Sequence, residues 1–482
     1  MERSNTKKYS GILLKGSAAV TISEASTKLI TLLLLPVFSF YLSPADFGTI
    51  SMVTVIITTL SLFYNPGLTS ATIRLYYDTV DIEERQTLIG SAQQFYLLFP
   101  LICTVLLILL GPFVFEWLFK DFAFYPFGIL AILLAFFSQT KNIWIAMMML
   151  QYRVTTTALY TFASVILGTL VSLFLVIYLE LGALGKVLGM FSQIFLIFVI
   201  AYFSVNQYTK GKWSFESIKK QLIFGIPLIG AIWSTSLLQV VDRFIIERMA
   251  GIDAVGIYSF AFQIAQIPLF LVIGIRKVWD PIFYENMNNH DYGVLRKLVY
   301  IYNVILSLIC ILIILFSKEV ILLFIDARYY NAIPLISVLV IGIYFSGLLL
   351  VPNAALAYDK RFAIISRIAF FAIIIDIILN IILIPFLGVM GSSIATAIAY
   401  LSYFVMGFLT SRNITREITN FKNIITPPLL VAGATTITFI VGNEWSWLEL
   451  WWKLIYVATS VCFLFFMGNL KINDIKRILK KQ

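Results

Sequence analysis

A chain of 482 residues that is 60% hydrophobic and 12% charged, with mean hydropathy +0.93, is not built for water. Soluble domains carry about 45–50% apolar and about 25% charged residues, so the solvent here must be lipid. The formal net charge of +10 raises nucleic-acid binding as a reading, but the distribution of the basic residues assigns them to membrane topology instead.

The first ten residues are polar, and no short apolar core with a small-residue cleavage site follows, so the first span is expected to be retained. A helix needs roughly 20 apolar residues to cross the hydrocarbon. That criterion predicts spans near 12–42, 46–73, 87–111, 124–150, 154–180, 183–208, 217–249, 254–283, 294–316, 330–355, 361–385, 388–411, 423–442 and 449–469, about fourteen in all. Ser43-Pro44 closes the first and Pro385 the eleventh, while Lys210, Lys212, Lys219 and Lys220 mark a polar stretch in the middle. The expected organisation is an N-terminal six-helix bundle over 1–208 and a cytoplasmic linker over 209–221. A C-terminal six-helix bundle over 222–412 follows, then a helix pair with a basic tail over 413–482. The fold class is therefore an all-α polytopic membrane protein.

The two bundles repeat. Leu181-Gly182-Ala183-Leu184-Gly185 returns as Leu387-Gly388-Val389-Met390-Gly391, and Leu150-Gln151-Tyr152 as Leu356-Ala357-Tyr358. Asp46-Phe47-Gly48-Thr49-Ile50-Ser51 resembles Asp253-Ala254-Val255-Gly256-Ile257-Tyr258-Ser259, and Gly67 with Tyr76-Tyr77-Asp78 echoes Gly274 with Phe283-Tyr284-Glu285. Matches in one order, about 206–208 residues apart, exceed coincidence in apolar sequence. An even number of spans per repeat makes the copies parallel, related by an axis along the membrane normal, as in transporters whose path runs between the halves.

With the N-terminus placed in the cytoplasm, the inner loops hold most of the basic residues, among them Arg74, Arg85, Arg153, Arg276, Lys277, Arg296 and Arg412. The outer side keeps Lys120, Lys186, Arg248, Lys318, Arg328 and Lys453. This asymmetry predicts both termini inside and an even span count, with the basic excess facing anionic headgroups.

An ionisable residue within a span costs about 2.5–3.5 kcal/mol on insertion scales and so faces a partner or a cavity. Glu24 and Lys28 stand at i, i+4 on one polar face of the first span. Asp242-Arg243 lies within the seventh, Lys141 within the fourth between Gln139 and Asn142, and Asp376 within the eleventh four residues before Asn380. Each also has a purely structural reading: a self-neutralising pair, an interhelical ion pair, a snorkelling lysine, an acid bonded to a neighbouring helix. At the inner ends, Arg74 closes the second span and Arg276 with Lys277 lies in the corresponding eighth, a pattern that suits phosphate contacts as well as the positive-inside rule.

Chemistry of other kinds finds no support. Cys103, Cys310 and Cys462 lie in apolar runs, and the single histidine, His290, sits in a polar stretch, so no metal or disulfide framework is expected. There is no phosphate-binding glycine loop and no nucleophile–histidine pairing. No enzyme, no cofactor and no ATP hydrolysis are expected.

The stretches Leu32-Leu33-Leu34-Leu35-Pro36 through Leu42-Ser43-Pro44-Ala45-Asp46-Phe47-Gly48, and Val241-Asp242-Arg243-Phe244-Ile245-Ile246 through Ala250-Gly251-Ile252-Asp253-Ala254-Val255-Gly256, carry a resemblance. The chain resembles the multidrug/oligosaccharidyl-lipid/polysaccharide exporter superfamily, and within it the bacterial polysaccharide-biosynthesis flippases. The resemblance implies outward transfer of a polyprenyl-diphosphate-linked oligosaccharide across a bacterial inner membrane. It implies a cavity lined mainly by the first, second, seventh and eighth helices, which puts Glu24, Lys28, Arg74, Asp242 and Arg243 near the path and Arg276 and Lys277 at its mouth. Lys141 and Asp376 remain coupling or structural candidates. Implied partners are the lipid-linked oligosaccharide, membrane lipid, and a glycan polymerase with its chain-length machinery; nucleic acid is not among them. A cation-coupled multidrug exporter, a peptidoglycan-precursor flippase and a non-transporting scaffold are the alternatives.

Overall fold

A computed structural model describes residues 26–151, 153–226, 229–419, 421–440 and 447–467. The chain packs as two compact units, Met1–Ser259 and Phe260–Gln482. Among the described residues the regular structure is entirely helical. Nine of these helices are long and apolar enough to cross a membrane, or ten when one bent pair is taken as a single span. Helices stand at each of the predicted spans, the first over its described part, so the chain is an all-α polytopic membrane protein. Several spans that read as continuous in the sequence are broken, and those breaks are the informative part of the fold.

In the first unit, α1 (Ser26–Tyr41) leads to α2 (Pro44–Tyr64). A capping box starts α2: Ser43 Oγ accepts from Asp46 N at 3.1 Å, and Asp46 Oδ2 accepts from Ser43 N at 2.9 Å. Pro44 fits the first turn, where its missing N–H costs nothing. The second predicted span then breaks at Asn65-Pro66-Gly67, with Gly67 at φ +74°, and resumes as α3 (Leu68–Asp78). Proline cannot extend the α2 ladder, and the left-handed turn suits a residue without Cβ. α4 (Ile82–Leu118) is 37 residues long, about 55 Å at 1.5 Å per residue, well beyond the hydrocarbon thickness. Its Leu109, Phe113 and Trp117 are exposed, as lipid-facing side chains should be.

α5 (Ile129–Leu150), α6 (Val154–Leu173, continuing to Tyr178) and α7 (Gly182–Thr209) complete the first six. Trp144 and Tyr96 lie fully buried in a cluster with Leu68, Ile89, Met147 and Val205. Because lipid tails are as apolar as these side chains, close packing rather than expulsion of water holds such a cluster together. The turn into α7 is capped from a distance: Asp46 Oδ1 accepts from Ala183 N at 3.0 Å, beside Gly182 at φ +52°.

The predicted linker is partly helical, since α8 (Phe215–Gly225) begins inside it and packs on α3 and α4. Gly67 and Gly225 meet backbone to backbone: a Cβ on Gly67 would stand 2.3 Å from Gly225 O. The seventh predicted span is thus divided into α8, α9 (Ile229–Leu237) and α10 (Val241–Ala250), and α11 (Ile252–Ala265) begins the eighth.

In the second unit, α12 (Ile267–Asn288) departs from α11 by a 48° bend at Gln266, with Pro268 in its first turn. α13 (Tyr292–Phe324), α14 (Ile333–Leu348) with α15 (Leu350–Tyr358), α16 (Phe362–Leu387) and α17 (Val389–Thr415) follow. α16 packs along α17, and α17 against α14. α18 (Phe421–Ile440) and α19 (Trp447–Met467) both pack on α13. Gly388 has φ +56°, matching Gly182, and a Cβ on Gly391 would approach Leu383 as one on Gly185 would approach Leu175. The repeated Leu-Gly-x-x-Gly stretch therefore puts a positive-φ glycine at the start of both α7 and α17.

Candidate functional site

The charges predicted along the path receive different environments. Asp242 and Arg243 sit in the first turn of α10, just after a break at Gln239-Val240, and are 1% and 7% exposed. Asp242 Oδ1 accepts from Arg243 N at 2.8 Å and from Arg243 Nη1 at 3.0 Å, and its Oδ2 accepts from the Tyr258 hydroxyl on α11. The Arg243 guanidinium also donates to Gln239 O and lies 5.4 Å from the Tyr258 ring centroid. The pair is thus an ion pair tied across α10 and α11, desolvated but fully engaged. A carboxylate held by a guanidinium and a phenol stays buried at tolerable cost only because each is bonded.

Lys28 is half-buried on α1, while Glu24 lies outside the described residues. Lys141 is half-buried on α5, beside a polar seam to α2. In that seam Gln139 Nε2 donates to Ser61 Oγ at 3.1 Å, Ser61 and Ser138 share a 3.2 Å hydrogen bond, and Asn142 Nδ2 reaches Gln139 Oε1 at 3.4 Å. Arg74 is not drawn into the buried cluster. It pairs with Asp78 at 3.3 Å one turn along α3, both side chains more than half exposed. Arg276 is exposed on α12, and the Lys277 side chain lies outside the described residues. Asp376 is buried on α16, where its Oδ1 and its backbone carbonyl accept from Asn380 Nδ2 at 3.1 and 2.8 Å.

The polar groups around the α2–α3 break are satisfied across helices. Tyr96 donates to Asn65 Oδ1 at 2.7 Å and shares a 2.8 Å bond with Thr69. Thr72 donates to buried Gln221 at 2.6 Å, and Gln221 Nε2 donates to Leu88 O at 3.1 Å. Trp233 Nε1 on α9 donates to Leu62 O at 3.2 Å. Non-helical backbone at membrane depth is stable where protein or a water-lined cavity meets its freed groups. Broken helices and unwound turns of this kind also form the substrate sites of many transporters.

Two charge clusters escape sequence reasoning. Glu247, fully buried on α10, accepts from the backbone N–H groups of Lys120, Asp121 and Phe122. It stands beside Arg248 at the end of the seventh predicted span, and its i+4 spacing from Arg243 is a signal that the sequence carries. In the second unit Lys453 and Glu449 of α19 join Lys318 and Glu319 of α13. There the sequence offers only two distant pairs of charges near predicted span ends.

The described residues contain no group of three or more His, Cys, Asp or Glu placed to hold a metal. What the arrangement offers is desolvated cations and acids, hydroxyls and amides on interrupted helices.

Comparison with known proteins places these elements in context. Residues 37–292 match the family described as "Polysaccharide biosynthesis protein". An uncharacterized membrane protein of Methanocaldococcus jannaschii is 22% identical over 428 residues, covering 84% of this chain and 99% of its own length. Among solved structures, the lipid II flippase MurJ in an inward closed conformation superposes with a TM-score of 0.72 at 16% identity, covering 93% of this chain and 97% of that one. An inward-facing multidrug resistance MATE family transporter of the MOP superfamily gives 0.66 at 15% identity, covering 82% and 95%. A MOP superfamily transporter from Pyrococcus furiosus gives 0.58 at 15%, covering 84% and 97%. The fold is that of these transporters.

Proposed function

The chain belongs to the polysaccharide biosynthesis protein family, and from that premise we propose that it is a flippase rather than an enzyme. In this reading it moves a polyprenyl-diphosphate-linked oligosaccharide from the inner to the outer leaflet of a bacterial cytoplasmic membrane, with both termini in the cytoplasm. One observation carries the reading: the segment matched by the family holds the breaks at Asn65–Gly67, before Val241 and at Gln266. Interrupted helices are where a transporter exposes polar backbone and side chains to a polar cargo.

The physics suits the cargo. A sugar chain and a diphosphate cannot cross hydrocarbon unaided, because burying an unpaired charge costs far more than thermal energy. Lys28 and Arg74 compensate the diphosphate, joined by Arg243 once its pair with Asp242 opens, with Arg276 and Lys277 receiving it at the inner face, and the Ser, Thr, Asn and Gln side chains of α2, α3 and α5 meet sugar hydroxyls. Glu24, Asp242, Lys141 and Asp376 are assigned to coupling or to holding the helices. The prenyl tail stays in lipid. An inside-negative potential favours outward movement of an anion by about 2.3 kcal/mol per charge per 100 mV, so no nucleotide is required. A glycan polymerase with its chain-length machinery would consume the product.

The deciding experiment is mass spectrometry of lipid extracts from a deletion strain whose upstream sugar-transferase step is intact. Accumulation of a polyprenyl-diphosphate oligosaccharide, with loss of the surface polymer, is expected. Accumulation of the peptidoglycan precursor instead would reassign the substrate. An unchanged lipid pool with new sensitivity to cationic drugs would overturn the proposal in favour of an exporter.

A further inference from the structure

The turn between α10 and α11 is fastened to the N-terminal helices by contacts of unlike chemistry, all within the first unit. The carboxylate of Glu247 is fully buried. Its Oε1 accepts from the N–H groups of Lys120, Asp121 and Phe122 at 2.9, 2.7 and 3.0 Å, and its Oε2 from Lys120 N at 3.0 Å. Consecutive amides converging on one oxygen form an anion-binding nest, occupied here by the protein's own acid. The loop returns the bond, for Asp121 Oδ2 accepts from Ile252 N at 3.2 Å, and Phe119 stacks on Phe244 at 5.8 Å.

Beside this lies a second contact with the symmetry of the repeat. Gly48 and Gly256, equivalent positions in the two copies, face each other so closely that a Cβ on Gly48 would stand 2.0 Å from Ile252 O. A Cβ on Gly256 would stand 1.8 Å from Pro44 O. One turn further in, the equivalent Ser51 and Ser259 share a 2.7 Å hydrogen bond. The repeats thus meet through matching residues, and the charged side chains bonded at that seam include Glu247 in its nest, the reciprocal Asp121, and Arg248, whose Nη1 donates to Phe119 O at 3.4 Å.

We propose that Glu247 is a positioning residue for transport: its carboxylate in the 120–122 amide nest is a releasable latch that holds the Gly48–Gly256 crossing shut. The uncharged parts of the seam are glycine backbone and one serine pair, which part and re-form without stranding a charge. The nest is different. Its amides and Glu247 leave one another only when water or another partner takes over, so the latch sets how often this end opens. The link to turnover rests on the flippase reading above, whereas the latch itself is a statement about conformation.

The test uses the full-length protein in membranes, with Cys103, Cys310 and Cys462 replaced by serine and the pair Ser51→Cys, Ser259→Cys introduced. Copper-phenanthroline oxidation is expected to form the disulfide readily, and a membrane-impermeant maleimide to label the reduced pair slowly. Adding Glu247→Gln keeps the shape and one acceptor oxygen for the nest, but removes the charge and puts an amide NH2 where Oε2 accepts from Lys120 N. It should shift the closed-to-open ratio by roughly tenfold toward open, the scale of a lost charge-assisted hydrogen bond. Cross-linking then slows and labelling accelerates, and Glu247→Asp should restore part of the difference. Unchanged cross-linking and labelling in Glu247→Gln would overturn the latch. If that variant fails to reach the membrane folded, Asp121→Ala must move both readouts in the same direction, and its failure to do so is equally decisive. In cells, oxidation of the cysteine pair should arrest surface-polymer assembly, and reductant should restore it. Assembly that continues through the disulfide would overturn the role in transport while leaving the conformational result intact. Failure of the flippase reading itself is seen separately, in the lipid extracts of the deletion strain.

Discussion

The two unannounced charge clusters solve the same problem in opposite ways. In the second unit Lys453 lies between Glu319 and Glu449, 2.9 Å from Glu449, which in turn pairs with Lys318 at 3.2 Å. Acids and bases alternate, each side chain answers another side chain, and α19 is welded to α13. In the first unit Glu247 is answered by backbone N–H groups of a loop, and Asp242 by its own neighbour and a phenol. A ladder of opposite side-chain charges keeps its balance through small displacements. A carboxylate seated in an amide nest keeps its partners only while one loop holds one position. The first arrangement suits a static seam, and the second suits a contact that must be broken and remade.

The largest effect should come from breaking the ladder. Lys453→Met leaves Glu319 and Glu449 facing each other in a buried site, and a loss of about 3–5 kcal/mol is expected, read as a lowered thermal midpoint in detergent. The double variant Glu319→Leu, Lys453→Met removes a neutral pair and should recover most of that loss; if both variants are equally unstable, the ladder is not a balanced charge system. Next comes Gly48→Leu or Gly256→Leu, which places carbon where carbonyl oxygen stands and should cost up to about 3 kcal/mol, measured in the same unfolding assay. Either glycine variant should also slow cross-linking of the Ser51→Cys, Ser259→Cys pair. Tyr258→Phe is milder: Asp242 loses its bond to α11 but keeps Arg243, so about 1.5 kcal/mol is expected. A matching loss from Asp242→Asn that is not additive with it would place both in one interaction. Arg74→Ala should be smallest, within about 0.5 kcal/mol, because its partner Asp78 is exposed on the same helix. If Arg74 receives the diphosphate, that variant lowers polymer output without changing stability; unchanged output would remove it from the path.

Much of the fold was legible in the residues. Apolar runs of roughly 20 residues locate helices because no other open structure satisfies its backbone in lipid. The Leu-Gly-x-x-Gly repeat pointed to real geometry, since Gly182 and Gly388 both adopt positive φ at the start of equivalent helices. The breaks were only half visible. Pro66-Gly67 and Pro268 are punctuation in the sequence, yet the division of the seventh span into α8, α9 and α10 left little trace among its apolar residues. The candidate site divides likewise. Asp242 and Arg243 stand out as charges in a span, whereas Glu247 and Lys453 resemble ordinary interfacial residues near span ends.

Composition and the apolar runs by themselves determine a lipid-embedded, all-helical chain, because each follows from transfer free energies that act residue by residue. Tertiary structure alone decided which charges are spent on holding the molecule together. Glu247 meets amides more than a hundred residues away, Lys453 meets Glu319 from another helix, and Arg74 pairs with the exposed Asp78 on its own helix. The worth of a buried charge lies in its partners, and partners distant in sequence are chosen by packing.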